Sequence, residues 1–472
     1  MLRHLIWPAL LLLAGCTALR EPYERPNVAA PETWTVPAAG VTAGAWPEPE
    51  WWKVFGNEEL DRLVAEAQAG SFDLKAAGAR VAQAKANAQI AAAPLYPGLT
   101  IGAAADRAKS QSGPGTTLYT LAPRVSYELD IWGLNRYGAE AADAALLATV
   151  YGQDVVRITL TADVAFSYFQ ILSLNDSLAA AQSSLENSRR VLRLFETQRG
   201  AGKISRLEVE RQLTQVAAIE AGIPPLIRSR KVAYDNLCVL LGRAPGSLPI
   251  PAGSLRRIGA PDVPIGVPSE LAERRPDIRR AEADLISANA DISAARAALF
   301  PTVQLTARGG VAGSSLDRLF DGPTGFYTLG LNILATIFDG GALSGQVDFT
   351  RGRKAELAYN YGQTVVSAFR EVEDALAGIE QFARQEDALQ EAAVHAREAF
   401  RLAEIRYKEG AGDFLTVLDA ERALILAENA VDPARFSRFT AYVDLYRALG
   451  GGWAPEEGAA VPVAKAEPAG TQ

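Results

Sequence analysis

Apolar residues recur along this chain with two periods, and each period appears twice. In the helical period, Tyr151, Val155, Ile158, Ala162, Ala165, Phe169 and Leu172 are spaced 4,3,4,3,4,3, and Tyr361, Val365, Ala368, Val372, Ala375, Ile379 and Phe382 copy that spacing at an offset of about 210. A sustained seam of this kind predicts coiled-coil packing of long helices over 133–199 and 342–409, each followed by a return helix, over 204–241 and 414–449. At about 1.5 Å per residue each long helix would run roughly 100 Å. After Leu172 the first seam shifts register and resumes at Leu174, Leu178, Ala181, Leu185, Leu192 and Phe195, which alters the supercoil locally.

In the period-two stretches, Tyr119, Leu121, Val125, Tyr127, Leu129 and Ile131 alternate with Thr120, Arg124, Ser126, Glu128 and Asp130. Later, Tyr327, Leu329, Leu331, Ile333 and Ile337 alternate with Thr328, Gly330, Asn332 and Thr336. The pattern predicts strands over 97–108 and 117–131, then 301–311 and 326–338, each wet on one face. Tilted strands of about 9 to 11 residues suffice to cross a bilayer, and these are long enough.

Glycine and proline divide the rest. Both long helices end in like turns, Gly200-Ala201-Gly202 and Gly410-Ala411-Gly412, and both return helices carry proline, at Pro224-Pro225 and at Pro433, which predicts paired bends. The organisation expected is a signal over 1–15, a proline-rich arm over 16–50, helices over 51–96 and a first β-hairpin over 97–131. A first helical hairpin over 132–242 and a linker with a helix over 243–300 follow. Then come a second β-hairpin over 301–338, a second helical hairpin over 339–450 and a disordered tail over 451–472. Within 51–96 the helix should break at Gly70-Ser71, with Ser71 capping the next helix.

The N-terminus adds a location. Arg3 and His4 precede an apolar run from Leu5 to Leu13, too short to span a bilayer, and Leu13-Ala14-Gly15-Cys16 resembles the bacterial lipobox. Cys16 is the candidate lipid anchor, and Thr17 in place of aspartate points to the outer membrane. Cys238 then has no partner in the chain and is expected to be a small buried hydrophobe. The net charge of −8, with basic residues scattered along helix faces, leaves no nucleic-acid footprint. With two histidines, His4 and His395, neither a His-based triad nor a His/Cys metal cluster is readily assembled; no enzyme activity and no cofactor are expected. No stretch after the signal reaches the eighteen or so apolar residues expected of a spanning helix.

Four spanning strands cannot close a barrel, and an open sheet in lipid leaves edge N–H and C=O groups unsatisfied. Several copies must therefore share one barrel, and their long helices must continue it as a hollow cylinder. Trp51-Trp52-Lys53-Val54-Phe55, Ala91-Ala92-Ala93-Pro94-Leu95-Tyr96-Pro97, the Arg274-Arg275-Pro276-Asp277-Ile278-Arg279-Arg280-Ala281-Glu282 block and Ala297-Ala298-Leu299-Phe300-Pro301 carry a resemblance at this point. The chain resembles TolC/OprM-type outer-membrane efflux factors, in particular their lipoprotein subfamily. The fold implied is an α+β membrane protein: a trimeric outer-membrane β-barrel with four strands per chain, continued by a long α-helical coiled-coil barrel, with internal duplication. The partners implied are two further copies of the chain, a periplasmic membrane-fusion adaptor protein, an inner-membrane RND-type transporter and outer-membrane lipid. The function implied is a passive exit duct for small toxic compounds.

Two sites follow from the resemblance. The stretch 413–422 is similar to the family's tunnel-closing segment, which implies Leu415 and Asp419 at the periplasmic constriction and Arg422 in the bonds that hold it shut. Three copies of Asp419 would make an acidic ring, with Thr416 where some relatives have a second aspartate. Without the resemblance, an Asp and an Arg three apart on a helix read as a surface pair. Gly200, Gly202, Ser205, Tyr407, Gly410, Gly412 and Asp413 are implied at the tips that meet the adaptor, although any tight helical hairpin wants glycine. Type I protein secretion and metal-ion efflux use the same fold, and a structural coiled-coil envelope lipoprotein is the alternative of another class. The four alternating strands argue against that last alternative.

Overall fold

Asp130 and Asp339 mark where strands give way to long helices. Asp130 accepts from the backbone N–H groups of Asn135 and Arg136 at 3.0 and 2.9 Å, and Asp339 accepts from Gly341 and Leu343 at 2.9 and 2.7 Å. Each carboxylate satisfies amides that an α-helix leaves free at its start. The strands accordingly stop short of the predicted Ile131 and Phe338. In this computed structural model, which describes residues 19–35, 41–43, 46–109, 115–321 and 324–453, the long helices are α3 (Leu134–Gly200) and α6 (Ala342–Lys408), 67 residues each. The return helices are α4 (Arg206–Leu240) and α7 (Phe414–Ala448), 35 residues each. The signal, Cys16 and residues 454–472 lie outside the described residues, whereas 451–453, expected in the disordered tail, are packed, with Trp453 Nε1 donating to Asp154 at 3.0 Å.

The duplication is sharper than the seam suggested, and its register differs. Helix ends repeat at an offset of 208: Gly202 and Gly410 have φ of 71° and 72°, and Gly242 and Gly450 have 71° and 87°. All four close the same motif, in which the glycine N–H bonds back three residues and the next N–H bonds back five, as in Gly202 to Arg199 and Lys203 to Gln198. The Tyr-Gly-Gln at 151–153 recurs at 361–363, an offset of 210. Because the helices are equally long, the two residues gained above Tyr361 are lost below it.

The seam positions are buried or half-buried, yet the two seams do not face each other. Helix α3 packs on α2 (Phe72–Ala92), α4, α5 (Pro276–Ala297) and α7, while α6 packs on α5 and α7. The layer order is α2, α3, α5, α6 near the sheet and α4, α3, α7, α6 beyond it. The short helix pairs meet end to end. A Cβ at Gly70, the last residue of α1 (Glu58–Gly70), would lie 2.3 Å from the Leu241 carbonyl, and one at Gly450 would lie 2.1 Å from that of Arg274. Close approach of α1 to the end of α4 therefore accounts for the break at Gly70-Ser71. Ser71 stands at the start of α2, buried, and its side chain makes no cap bond; Asn57 caps α1, accepting from Leu60 at 2.9 Å.

The prolines are absorbed without ending either return helix: Pro224 and Pro225 lie inside α4, and Pro433 inside α7. Pro225 and Pro433 are equivalent at the 208 offset. Helix α3 also contains an 18-residue stretch apolar enough to cross a membrane by composition, contrary to expectation, and 56% of it is buried inside the protein. Its apolarity serves the core. There Trp51 stacks on Tyr446 at 4.8 Å, and Phe169 meets both Phe55 and Phe439 edge-on at 4.9 and 5.3 Å. Cys238 is fully buried in the same core.

The 16–50 arm and the 243–300 linker are tied down by long-range contacts. The arm runs along α5 and α6: the Glu21 backbone N–H donates to Ser293 Oγ at 3.0 Å, and Arg25 pairs with Glu282 at 2.7 Å. Its β1 (Val41–Ala43) pairs in parallel with β4 (Val263–Ile265) of the linker.

Candidate functional site

Two ends of the molecule are built for assembly. At one, β2 (Gly98–Ala108), β3 (Thr116–Glu128), β5 (Thr302–Gly313) and β6 (Gly325–Leu334) form one antiparallel sheet in the order β2-β3-β5-β6. The β3–β5 pairing joins the two repeats, with Val125 opposite Ala307 and Tyr127 opposite Leu305. Among the described residues neither β2 nor β6 has a second strand beside it. Alternation and register put Leu99, Val125, Ala307 and Leu329 in one row of one face, and Tyr127, Leu305 and Leu331 in the next. Leu99, Tyr327, Leu329, Leu331 and Ile333 are all exposed. An apolar face of this size has to meet something other than water.

At the other end the hairpin tips share a small core. Phe195 of α3 sits edge-on between Tyr407 of α6 and Phe414 of α7, at 5.4 and 5.2 Å. Tyr407 is therefore buried, its hydroxyl donating to Gln198 at 2.6 Å, and it braces the two hairpins instead of standing at the surface. Burial pushes its phenol up from the usual value. Ser205 caps α4, accepting from Leu207 at 3.2 Å and donating to Glu208, while Asp413 caps α7, accepting from Thr416 N–H at 2.8 Å. The Thr416 backbone and side-chain bonds hold the Asp413 carboxyl below the usual range. Thr416 thus serves the cap.

The two glycine turns are out of step. Gly200 is the last helical residue of α3, whereas its apparent counterpart Gly410 is left-handed and matches Gly202. A Cβ at Gly412 would come within 3.2 Å of Arg406 Cβ. The glycines that the backbone requires are Gly202 and Gly410, with Gly412 closely packed.

Leu415, Asp419 and Arg422 fall on one exposed stripe of α7 opposite the buried Phe414, Val417, Leu418 and Glu421. The stripe continues to Leu426, 73% exposed, which sequence reasoning missed although its spacing from Arg422 is helical. Arg422 Nε donates to Gln215 of α4 at 3.2 Å, so the stripe is tied to the first hairpin at this point. Behind it lies a buried polar cluster: Gln212 Nε2 donates to Glu421 at 3.0 Å and to the Ser188 hydroxyl at 2.9 Å. Burial raises the Glu421 carboxyl above its usual range, against the bonds from Gln212 and Ser188. His395 is exposed near Glu391, and no group of His, Cys, Asp and Glu able to hold a metal occurs among the described residues.

The Arg275-Pro276-Asp277 part of the sequence block fastens helices. Buried Arg275 donates to Asp277, to Glu371 at 2.8 Å and to the Ala448 carbonyl at 2.9 Å, joining the start of α5 to α6 and the end of α7.

The model of the family described as outer membrane efflux protein matches residues 63–243 and 267–451. The chain is 38% identical over 457 residues to the pyoverdine export outer membrane protein OpmQ of Pseudomonas aeruginosa, covering 94% of this chain and 96% of that one. It is 33% identical to the toluene efflux pump outer membrane protein TtgI of Pseudomonas putida, covering 94% and 97%. Among solved structures, the outer-membrane channel OprN superposes with a TM-score of 0.87 at 30% identity, over 93% of this chain and 100% of that one.

Proposed function

Because this chain belongs to the outer membrane efflux protein family, we propose that three copies close one twelve-stranded barrel in the outer membrane and continue it as a helical tunnel into the periplasm. The sheet carries this reading: four strands with two open edges and an apolar face are a third of a closed barrel. Pairing β2 of one copy with β6 of the next satisfies every edge and turns the apolar face to lipid. The 67-residue helices give the tunnel a length of about 100 Å.

The protein is an outer-membrane efflux channel. As a passive conduit it needs no catalytic residue; the driving force enters from an inner-membrane RND-type transporter through a periplasmic membrane-fusion adaptor. The adaptor meets the tips around Gly202, Ser205, Gly410, Gly412 and Asp413. Three copies of Leu415 and Asp419 narrow the tunnel there, and the Arg422 bond to Gln215 holds the narrowing. Lipid on Cys16 anchors the arm that runs along α5 and α6. Pyoverdine and toluene, for which two relatives are named, mark the span of cargo to test first.

The test is the growth of a deletion strain, with and without the restored gene, against unrelated antibiotics, dyes, solvents and metal salts. Broad hypersensitivity cured by the gene is expected. Sensitivity to one metal alone, or a missing secreted protein with no sensitivity, would reassign the duct.

A further inference from the structure

The polar face of the sheet carries an arrangement that barrel closure does not need. The register sets Thr100, Arg124, Arg308 and Thr328 side by side in one row across β2, β3, β5 and β6. Arg124 and Arg308 are direct partners on neighbouring antiparallel strands, where side chains start about 5 Å apart and like charges repel. Neither has an ion-pair partner among the described residues, and Arg308 lies over the ring of Phe326 at 5.5 Å. Along this face the next carboxylate on β3 is Glu128, four residues on and therefore about 13 Å away. Asp106 on β2 is farther still, six residues beyond Thr100.

The adjoining rows are small apart from Phe326 on β6. Ser126 faces Thr306 on one side. On the other, a Cβ at Gly310 would lie 2.7 Å from that of Ala122, so strand packing there admits no side chain. Arg124 therefore has small neighbours while Arg308 rests against the Phe326 ring, and both lie on the face opposite Leu99, Val125 and Leu329. A guanidinium fork binds carboxylate, sulfonate or phosphate oxygens in pairs, and two adjacent forks lose their mutual repulsion when an anion lies between them.

We propose that this row is an oxyanion-binding belt inside the barrel: six guanidiniums, two per chain, that receive the acidic groups of exported solutes. The belt rests on the trimeric barrel proposed above. It would give the duct two charged zones of opposite sign, the acidic ring of Asp419 at the periplasmic end and a basic ring within the outer membrane. Binding by a ring in water is weak enough for cargo to leave, as conduction requires.

The test is a planar-bilayer recording of the full-length channel with inositol hexakisphosphate added to the compartment that the barrel faces. Reversible block of the current is expected, weakened at least tenfold in R124Q/R308Q and largely kept in R124K/R308K, with trimers verified on a native gel. Should the double glutamine variant fail to assemble, R308Q alone is expected to show an intermediate loss. Equal block of the parent and the glutamine variants, or block only from the helical side, would overturn the belt and leave the channel standing. No current from any of them would overturn the channel reading and the belt with it.

Discussion

In the first hairpin Leu178 fills the position that Glu386 holds in the second, 208 residues on, and Arg211 stands where the second has Asp419. Leu178 is a buried apolar side chain. Glu386, 1% exposed, instead accepts from Arg435 at 2.6 Å and from Arg438 at 3.1 Å. The backbones differ little: both hairpins have the same lengths and glycine closures, and both carry the exposed pair Arg189–Glu220 or Arg397–Glu428 at the same offset. The duplication has therefore supplied one geometry twice, and the side chains have since separated. The second hairpin has an ionic fastening near the core and an exposed aspartate, Asp419, near the tip; at the equivalent positions the first has Leu178 and Arg211.

The largest effect that probes this contrast is at Glu386. Glu386→Ala leaves two arginines facing a buried gap and is expected to cost about 3 to 5 kcal/mol, read as a fall in the denaturant midpoint by circular dichroism. Leu178→Ala, its counterpart, should cost about 2 to 5 kcal/mol through the cavity alone. Glu386→Leu with Arg435→Ile, which copies the residues of the first hairpin at 178 and 227, should recover part of the loss. A Glu386→Ala protein as stable as the parent would break the contrast.

The turns come next. Gly202→Ala and Gly410→Ala each force a left-handed residue, at a cost of about 1 to 3 kcal/mol, and the two should agree. Gly200→Ala lies in helical backbone with open space around it, and should be neutral or stabilise by up to about 1 kcal/mol. The same denaturant series measures all three, and a costly Gly200→Ala would contradict the 208-residue register.

The smallest effect is a pH dependence at the tip. Burial raises the folded Glu421 carboxyl above its usual value of 4.5, so between 4.5 and the raised value the unfolded chain has released a proton that the folded chain keeps. Stability from this group is full below 4.5, falls as pH rises through that window and is flat above it. Glu421→Gln, whose amide can also donate to the unpartnered Gln212 Oε1, should flatten the slope and raise stability at pH 7. An unchanged slope in melts from pH 4 to 8 would remove Glu421 as its source.

Much of this was legible because it depends on local periodicity. Alternation located four strands within a few residues, and the seam and its glycines located four helices. The two-residue slip of the repeat was not legible, since Tyr151 and Tyr361 align at one offset and the helix ends at another, and only the turn hydrogen bonds decide between them. Tyr407 read as a tip residue because it neighbours the turn, but its burial depends on Phe195, some two hundred residues away. The partnership of β1 with β4 and the fastening by Arg275 are likewise long-range. At the candidate constriction, Leu415, Asp419 and Arg422 share a face by helical spacing alone, whereas the Glu421–Gln212 cluster behind them arises from the packing of α3, α4 and α7.

The central claim is that three copies make a conduit narrowed at Asp419. The most direct measurement is the single-channel conductance of the purified full-length protein in planar bilayers, compared with Asp419→Ala. Discrete steps that grow in the variant are predicted. Bilayers that stay silent for both proteins would contradict the conduit, and steps of identical size would contradict the narrowing at Asp419.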